Sequence, residues 1–350
     1  MVLIIGESTQ RNYMSLYGYP LQTTPRLQEL HNNGNLIVFR DVVAPHAHTN
    51  ESLKEVLTFS DYENRQTPWY KQQNIIDIMR FAGYKTFWLS NQESFSIFGN
   101  AVESLSRHAD ITHFSRILDS YTSINGVLYD GVLLSMLDKT LRQYNNENKT
   151  FYNLHLMGTH LNYNARFPET FDKFSKNDLI KNHLNTLAPY PKTSHTLLSN
   201  YQLQIKLNYI NAIYYNDYIV SEIMKRFQNY DAIVIYFSDH GDEVYDFRNF
   251  VGHSDADISR FMIEVPFMIY MSDSFKQKHK ALAQRIIDAQ NLPFMNDDFI
   301  HAFLDICGIE TQDSILSKSL FNKHYNAIRK RIIANKDYDK ELKNQGLNTE

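Results

Sequence analysis

The sequence predicts an α/β protein: a doubly wound, mostly parallel sheet with helices on both faces. Two observations lead there. Short apolar runs alternate along the chain with segments of helical spacing. The apolar runs are continuous, as in parallel strands buried on both faces. No internal repeat and no low-complexity linker interrupts the pattern.

The elements follow in order. "VLIIGES" (2–8) is a strand. "TTPRLQELHNNG" is a helix with Pro25 near its start and Gly34 just past its end. "LIVFRDVVA" is a second strand region. "NIIDIMRFAGY" is a helix ending near Gly83, and "KTFWLSNQ" is a strand. "GVLLSMLDKTLRQY" is helical, "TFYNLHLMGTH" is a strand ending in polar groups, and a long helix precedes the strand "DAIVIYFSDH". "EVPFMIYMS" is a last strand and "DFIHAFLDICGI" a last helix, ending near Gly308. The whole of 1–350 reads as a single catalytic domain. A polar insertion lies at about 161–206, with Pro168, Pro189 and Pro191. A charge-rich tail from about 322 to 350 is expected as a surface helix with a loose end.

Composition narrows the class. With 43% hydrophobic and 21% charged residues, the 350-residue chain buries a substantial core. A net charge of -4 gives no basic face for nucleic acid, so no nucleic-acid partner is expected. The single cysteine, Cys307, excludes an internal disulfide. No run of 18 apolar residues is present. Because "MVLIIGES" opens inside a core strand, a membrane anchor is expected upstream of Met1. Fourteen histidines make metal chemistry worth seeking.

Ligands of open α/β sheets bind beyond the carboxyl ends of the strands. Five predicted strand regions deliver polar groups there. They are Glu7 and Ser8; His46, His48, Thr49, Asn50 and Glu51; Asn91 and Gln92; His155, Thr159 and His160; and Asp239 and His240, with His253 further on. A lone Glu or a lone His-x4-His carries little weight, since each is common as a cap or a core residue. Asp-His-Gly after a buried strand carries more, because adjacent carboxylate and imidazole can share one cation. Carboxylate and imidazole without thiolate fit zinc or manganese, zinc being the more usual.

"LIIGESTQRNYMSLYGYPLQTTPRL", "HLMGTHLNYNARFP", "VIYFSDHGDE" and "VGHSDADISRFMIEVPFMIYMS" together resemble, in order over about 2–310, the bacterial phosphoethanolamine transferases of the alkaline-phosphatase/sulfatase superfamily. The resemblance implies an alkaline-phosphatase/sulfatase-like fold and Zn2+, one ion with a second possible. Its ligands would be Glu7, Thr49, Asp239 and His240, with Thr49 also the nucleophile. His160 and His253 would lie near the transferred phosphate, and Asn91 would contact substrate. The implied reaction moves phosphoethanolamine from phosphatidylethanolamine, through a covalent threonine intermediate, to a lipopolysaccharide acceptor, a core heptose or lipid A. The setting would be the periplasmic side of the inner membrane. Two departures stand out: no cysteines flank the nucleophile, and no lysine follows shortly after Asn91. Both favour an acceptor other than lipid A. A metal-dependent phosphodiesterase or sulfatase-like hydrolase is the alternative. Against a sulfatase, no Cys/Ser-x-Pro-x-Arg segment follows the second strand.

Thr49 has two hydroxyl rivals. Ser52 lies three residues on. Ser8 adjoins Glu7 on what reads as an extended segment, where neighbouring side chains face opposite ways. Thr49 is also a candidate N-cap for the helix "NESLKEVLTF".

Overall fold

A computed structural model describes residues 1–94, 101–116, 129–187 and 196–346. Its strands are β1 (Val2–Gly6), β2 (Leu36–Val38), β3 (Val42–Val43), β4 (Lys85–Glu93), β5 (Ile111–Arg116), β6 (Thr150–His155), β7 (Ile233–Ser238), β8 (Glu243–Val244), β9 (Val251–Gly252), β10 (Phe267–Met271), β11 (Phe294–Met295), β12 (Ile332–Ile333) and β13 (Lys336–Asp337). The main sheet has seven strands in the order β2-β10-β7-β1-β6-β4-β5. β7, β1, β6, β4 and β5 run parallel, while β10 is antiparallel to both β7 and β2.

Successive side chains of each strand feed two different cores, as the period of two requires. On one face Val2, Ile4, Tyr152, Leu154, Val234 and Tyr236 pack under α1 (Pro25–Asn32), α5 (Gly131–Gln143) and the 27-residue α7 (Asn200–Arg226). On the other, Leu3, Ile5, Trp88, Phe151, Ile235 and Phe237 pack under α2 (Thr49–Val56), α3 (Ile75–Phe81) and α10 (Phe299–Cys307). This is the doubly wound arrangement the alternation predicts; α4 (Ala101–Ser106) packs near α2, and α8 (Asp273–Lys278) and α9 (Lys280–Asp288) follow β10.

Several expectations are corrected. "LIVFRDVVA" is not one strand region of the sheet. After Val38 the chain leaves the sheet at Arg40 and Asp41, and Asp41 is drawn to Arg331 and Lys343. The next piece, β3, pairs with β11 in a separate two-stranded sheet. β5 went unpredicted because "ITHFSR" lacks a continuous apolar run and lies at the sheet's edge. The insertion carries a short helix, α6 (Lys176–Lys181), and its last residues already belong to α7, which starts at Asn200. Pro189 and Pro191 lie outside the described residues. The tail forms no α-helix among the described residues. It is a β12–β13 hairpin followed by a π-type turn (Tyr338–Leu342), with Ile333 and Tyr338 fully buried. Arg331 and Lys343 on Asp41, and Arg329 on Asp297, hold it to the core, so charge here docks the segment instead of solvating it. The expected loose end falls at 347–350, outside the described residues.

Candidate active site

The register of β1 against β7 sets the first two groups side by side. Gly6 lies opposite Ser238, and Asp239 N–H donates to the Gly6 carbonyl at 3.0 Å. Glu7 and Asp239 therefore leave adjacent strand ends together, both buried. His240 completes the group: its Nε2 is 3.2 Å from Glu7 Oε1 and 3.6 Å from Asp239 Oδ2. Its Nδ1 is 3.0 Å from the Gly241 carbonyl. That contact makes Nδ1 the protonated nitrogen of the neutral ring, which turns the Nε2 lone pair toward the carboxylates.

Thr49 enters from another direction. It is the first residue of α2, preceded by His48, and it does not come off a strand of the main sheet. Its Oγ1 donates to Glu7 Oε2 at 3.0 Å and lies 3.5 Å from His240 Nε2. It is not an N-cap: that position belongs to His48, which makes no side-chain cap bond. Ser52 is fully buried and its hydroxyl donates to the Asp239 carbonyl at 2.7 Å, so it supports the Asp239 backbone. Ser8 departs from the expectation. The strand ends at Gly6, and Ser8 has φ 58°, so its side chain turns back and donates to Glu7 Oε1 at 2.8 Å.

Electrostatics state what this cluster lacks. Burial works to raise the Glu7 carboxyl, but His240 outweighs it and holds Glu7 well below the usual carboxylate range. Burial, then the Glu7 charge, pushes Asp239 up to about 8. Burial opposes a charged His240, yet Asp239 and Glu7 raise it to about 10. Two buried carboxylates thus compete for positive charge, and protons supply it. Asp239 Oδ2 has no hydrogen-bond partner although it is buried. Glu7, Asp239 and His240 each offer a ligand atom within 4.8 Å of the others. The orphaned Asp239 oxygen, the directed His240 lone pair and the Thr49 hydroxyl on the adjacent Glu7 carboxylate fit a zinc ion.

A second unit flanks the first. His253 Nδ1 lies 2.6 Å from Asp242 Oδ1, and Tyr163 OH donates to Asp242 Oδ2 at 2.7 Å. Asp242 thereby fixes the His253 tautomer and frees Nε2. The His253 ring lies 4.2 Å from that of His240, 5.1 Å from His48 and 6.4 Å from His160, centroid to centroid. The β6 turn presses on Glu7 itself. Thr159 N–H donates to the Glu7 carbonyl at 2.9 Å. Gly158 has φ 53°, and a Cβ there would sit 2.6 Å from Glu7 O, so only glycine fits.

Not every sequence candidate joins this group. The Asn91 amide donates to Asp130 at 2.8 Å, and its oxygen accepts from Ser115 at 2.5 Å, bonds that tie β4 to its neighbours. The next residue, Gln92, reaches Glu7 Oε2 at 3.4 Å and the Leu156 carbonyl at 2.7 Å. A register shift in β4 between Ser90 and Glu93 accompanies that exchange, and periodicity gives no warning of it. His155 is buried with neither ring nitrogen hydrogen-bonded, and burial lowers it to about 4. Sequence reasoning gave Asp242 no partner; its place two residues past His240 was the available signal.

The chain matches the sulfatase family profile over residues 1–309. It is 31% identical over 331 residues to phosphoethanolamine transferase EptC of Escherichia coli K12, covering 93% of this chain and 53% of the relative. It is 32% identical to phosphoethanolamine transferase CptA of Salmonella typhimurium LT2, with 93% and 53% covered. The chain spans about half the length of these curated relatives. The crystal structure of the C-terminal periplasmic domain of Escherichia coli EptC in complex with Zn superposes with a TM-score of 0.85 at 30% identity, covering 99% of this chain and 94% of the other. A protein of the alkaline phosphatase superfamily from Vibrio parahaemolyticus, 17% identical with a TM-score of 0.57, shares the fold. Every strand end that contributes to the cluster lies inside the matched residues, and the chain belongs to the sulfatase family.

Proposed function

We propose that this protein transfers phosphoethanolamine from phosphatidylethanolamine to a lipopolysaccharide acceptor through a covalent intermediate on Thr49. The observation that carries the reading is the place of the Thr49 hydroxyl. It lies at the start of α2, 3.0 Å from one carboxylate and 3.5 Å from the imidazole of a cluster short of a cation. Glu7, Thr49, Asp239 and His240 would hold a zinc ion, whose positive charge would lower the hydroxyl's pKa, so that its proton leaves to solvent before attack, and would offset charge on the phosphoryl oxygens.

The chain's own residues do the rest. Thr49 Oγ attacks phosphorus as the diacylglycerol oxygen departs. The unpaired N–H groups at the start of α2 favour the anionic phosphoryl group beside Thr49. His253, held through Nδ1 by Asp242, presents Nε2 as proton donor to the leaving oxygen and later as base toward the acceptor hydroxyl. His160 lines the same mouth. The similarity to EptC and CptA supports phosphoethanolamine as the transferred group, and the likeness to a periplasmic domain supports a periplasmic setting. The lipid donor would bring the reaction to a membrane, although no helix among the described residues is long and apolar enough to cross one.

The test is direct. Protein incubated with phosphatidylethanolamine in detergent micelles should gain one phosphoethanolamine on the peptide containing Thr49, read by mass spectrometry. Thr49→Ala should lose the adduct and turnover while keeping most of its zinc. An adduct on Ser52, or an active Thr49→Ala protein, overturns the assignment.

A further inference from the structure

The nucleophile and the proton-donating histidine lie on different segments, 204 positions apart in sequence. Thr49 starts α2, and His253 follows β9. The transfer needs both at one phosphorus atom, and a misplacement of about 1 Å can cost about 100-fold in rate. No disulfide is available to fix them, since Cys307 is the only cysteine.

One side chain spans the gap. His46, three residues before Thr49, places Nδ1 3.2 Å from Asp255 Oδ2 and Nε2 3.4 Å from Glu55 Oε1. Asp255 is two residues past His253, and Glu55 is in the second turn of α2. Asp255 also accepts the Ala47 N–H through Oδ1 at 2.7 Å. The His46, Glu55 and Asp255 side chains are 17%, 10% and 27% exposed, so the contacts are shielded from water. We propose that His46 is a positioning residue, clamping α2 to the His253 loop so that Thr49 and His253 share one phosphoryl position. This rests on the Thr49 reading above.

The surroundings favour the clamp in its charged form. Glu55 faces His46 from α2 and Asp255 from the His253 loop. Arg65 lies 4.0 Å from the same Glu55 oxygen, and burial, with the neighbouring imidazoles, holds nearby His48 below its ordinary value. Burial works to lower His46, but the two carboxylates outweigh it and raise it to about 9. A folded-state value above the ordinary 6.5 means the charged clamp is complete below about 6.5 and lost as pH rises through about 9.

The experiment measures the rate of adduct formation on Thr49, with zinc content as control. His46→Ala should slow the adduct about 10–100-fold with zinc unchanged. Asp255→Asn should slow it too, and the double variant should be no slower than His46→Ala alone, as expected for two halves of one contact. His46→Arg, charged at every accessible pH, should recover most of the rate and outlast the wild type above pH 9. A wild-type rate in His46→Ala overturns the clamp, as do losses that multiply in the double variant. Absence of any adduct on the wild type would instead strike the Thr49 reading, so the two failures are told apart.

Discussion

Glu7, Asp239 and His240 at the sheet's carboxyl edge, and Asp61, Asp298 and His301 at the start of α10, each bring three ligand atoms within 4.8 Å of one another. Both groups are buried. In the second, cations are already built in. Lys318 Nζ lies 2.5 Å from Asp61, 2.8 Å from Glu63 and 3.8 Å from Asp298, and Arg329 adds a contact to Asp298 at 3.1 Å. The imidazoles differ as well. His301 Nδ1 accepts the Ile315 N–H at 3.2 Å, so Nε2 carries the hydrogen and has no lone pair for a metal. His240 has the opposite arrangement. Among the described residues no lysine or arginine pairs with Glu7 or Asp239. Residue types and spacing are thus insufficient to mark a metal site; missing positive charge and a directed lone pair separate the two.

The strongest way to break this comparison is metal uptake. Asp239→Ala should lower zinc affinity by more than the roughly 10–100-fold typical of an outer partner, and turnover should vanish with it. Asp61→Ala should leave zinc affinity, measured by chelator competition, unchanged. Zinc loss from Asp61→Ala would mean the second cluster binds metal after all.

Lys318→Met tests the second cluster on its own terms. It strands Asp61 and Asp298 without their ammonium and should cost roughly 3–5 kcal/mol of stability, read by denaturant unfolding, with zinc unaffected. The loss should be smaller at low pH. Burial and the Asp297 charge already push Asp298 up to about 9. A carboxyl raised in the folded state stabilises at low pH and loses that contribution as pH rises through its folded value. Equal losses at pH 5 and pH 9 would show that Asp298 does not hold a proton.

The contrast also explains what the sequence could tell. Glu7, Asp239 and His240 were legible because each follows a continuously apolar strand, and an α/β sheet gathers such ends on one edge. Thr49 was legible as a group after a strand region and through the family resemblance, but β3 is not a strand of the main sheet, and it is the start of α2 that places it. The second cluster was invisible: one cation, Lys318, is 257 positions from Asp61, and the other, Arg329, comes from the tail that reads as a surface helix. Ser8 and Gln92 stood out at strand ends, but their contacts with Glu7 were not legible, for a shared reason. Strand periodicity assigns faces by counting, and a positive φ at Ser8 or a register shift after Ser90 resets the count.

Ser8 offers the finest test. It is a fully buried non-glycine residue at φ 58°, an arrangement that costs roughly 1–2 kcal/mol. None of Asp61, Asp298, His301 or Lys318 has a positive φ. The strained turn lets one residue hold both carboxylates: the hydroxyl donates to Glu7 Oε1 at 2.8 Å, and the backbone N–H donates to Asp239 Oδ1 at 3.2 Å. Ser8→Gly relieves the strain and keeps the N–H, but loses the hydroxyl. Ser8→Ala loses the hydroxyl and keeps the strain. Both variants should weaken zinc binding to a similar extent, about 10-fold, whereas metal-free Ser8→Gly should be more stable than Ser8→Ala by about 1 kcal/mol. Equal stabilities would mean the turn is unstrained, and wild-type zinc affinity in both would mean the hydroxyl does nothing for Glu7. The expected split, weaker metal binding with the stability restored by glycine alone, would place the cost of this backbone in the orientation of the two carboxylates.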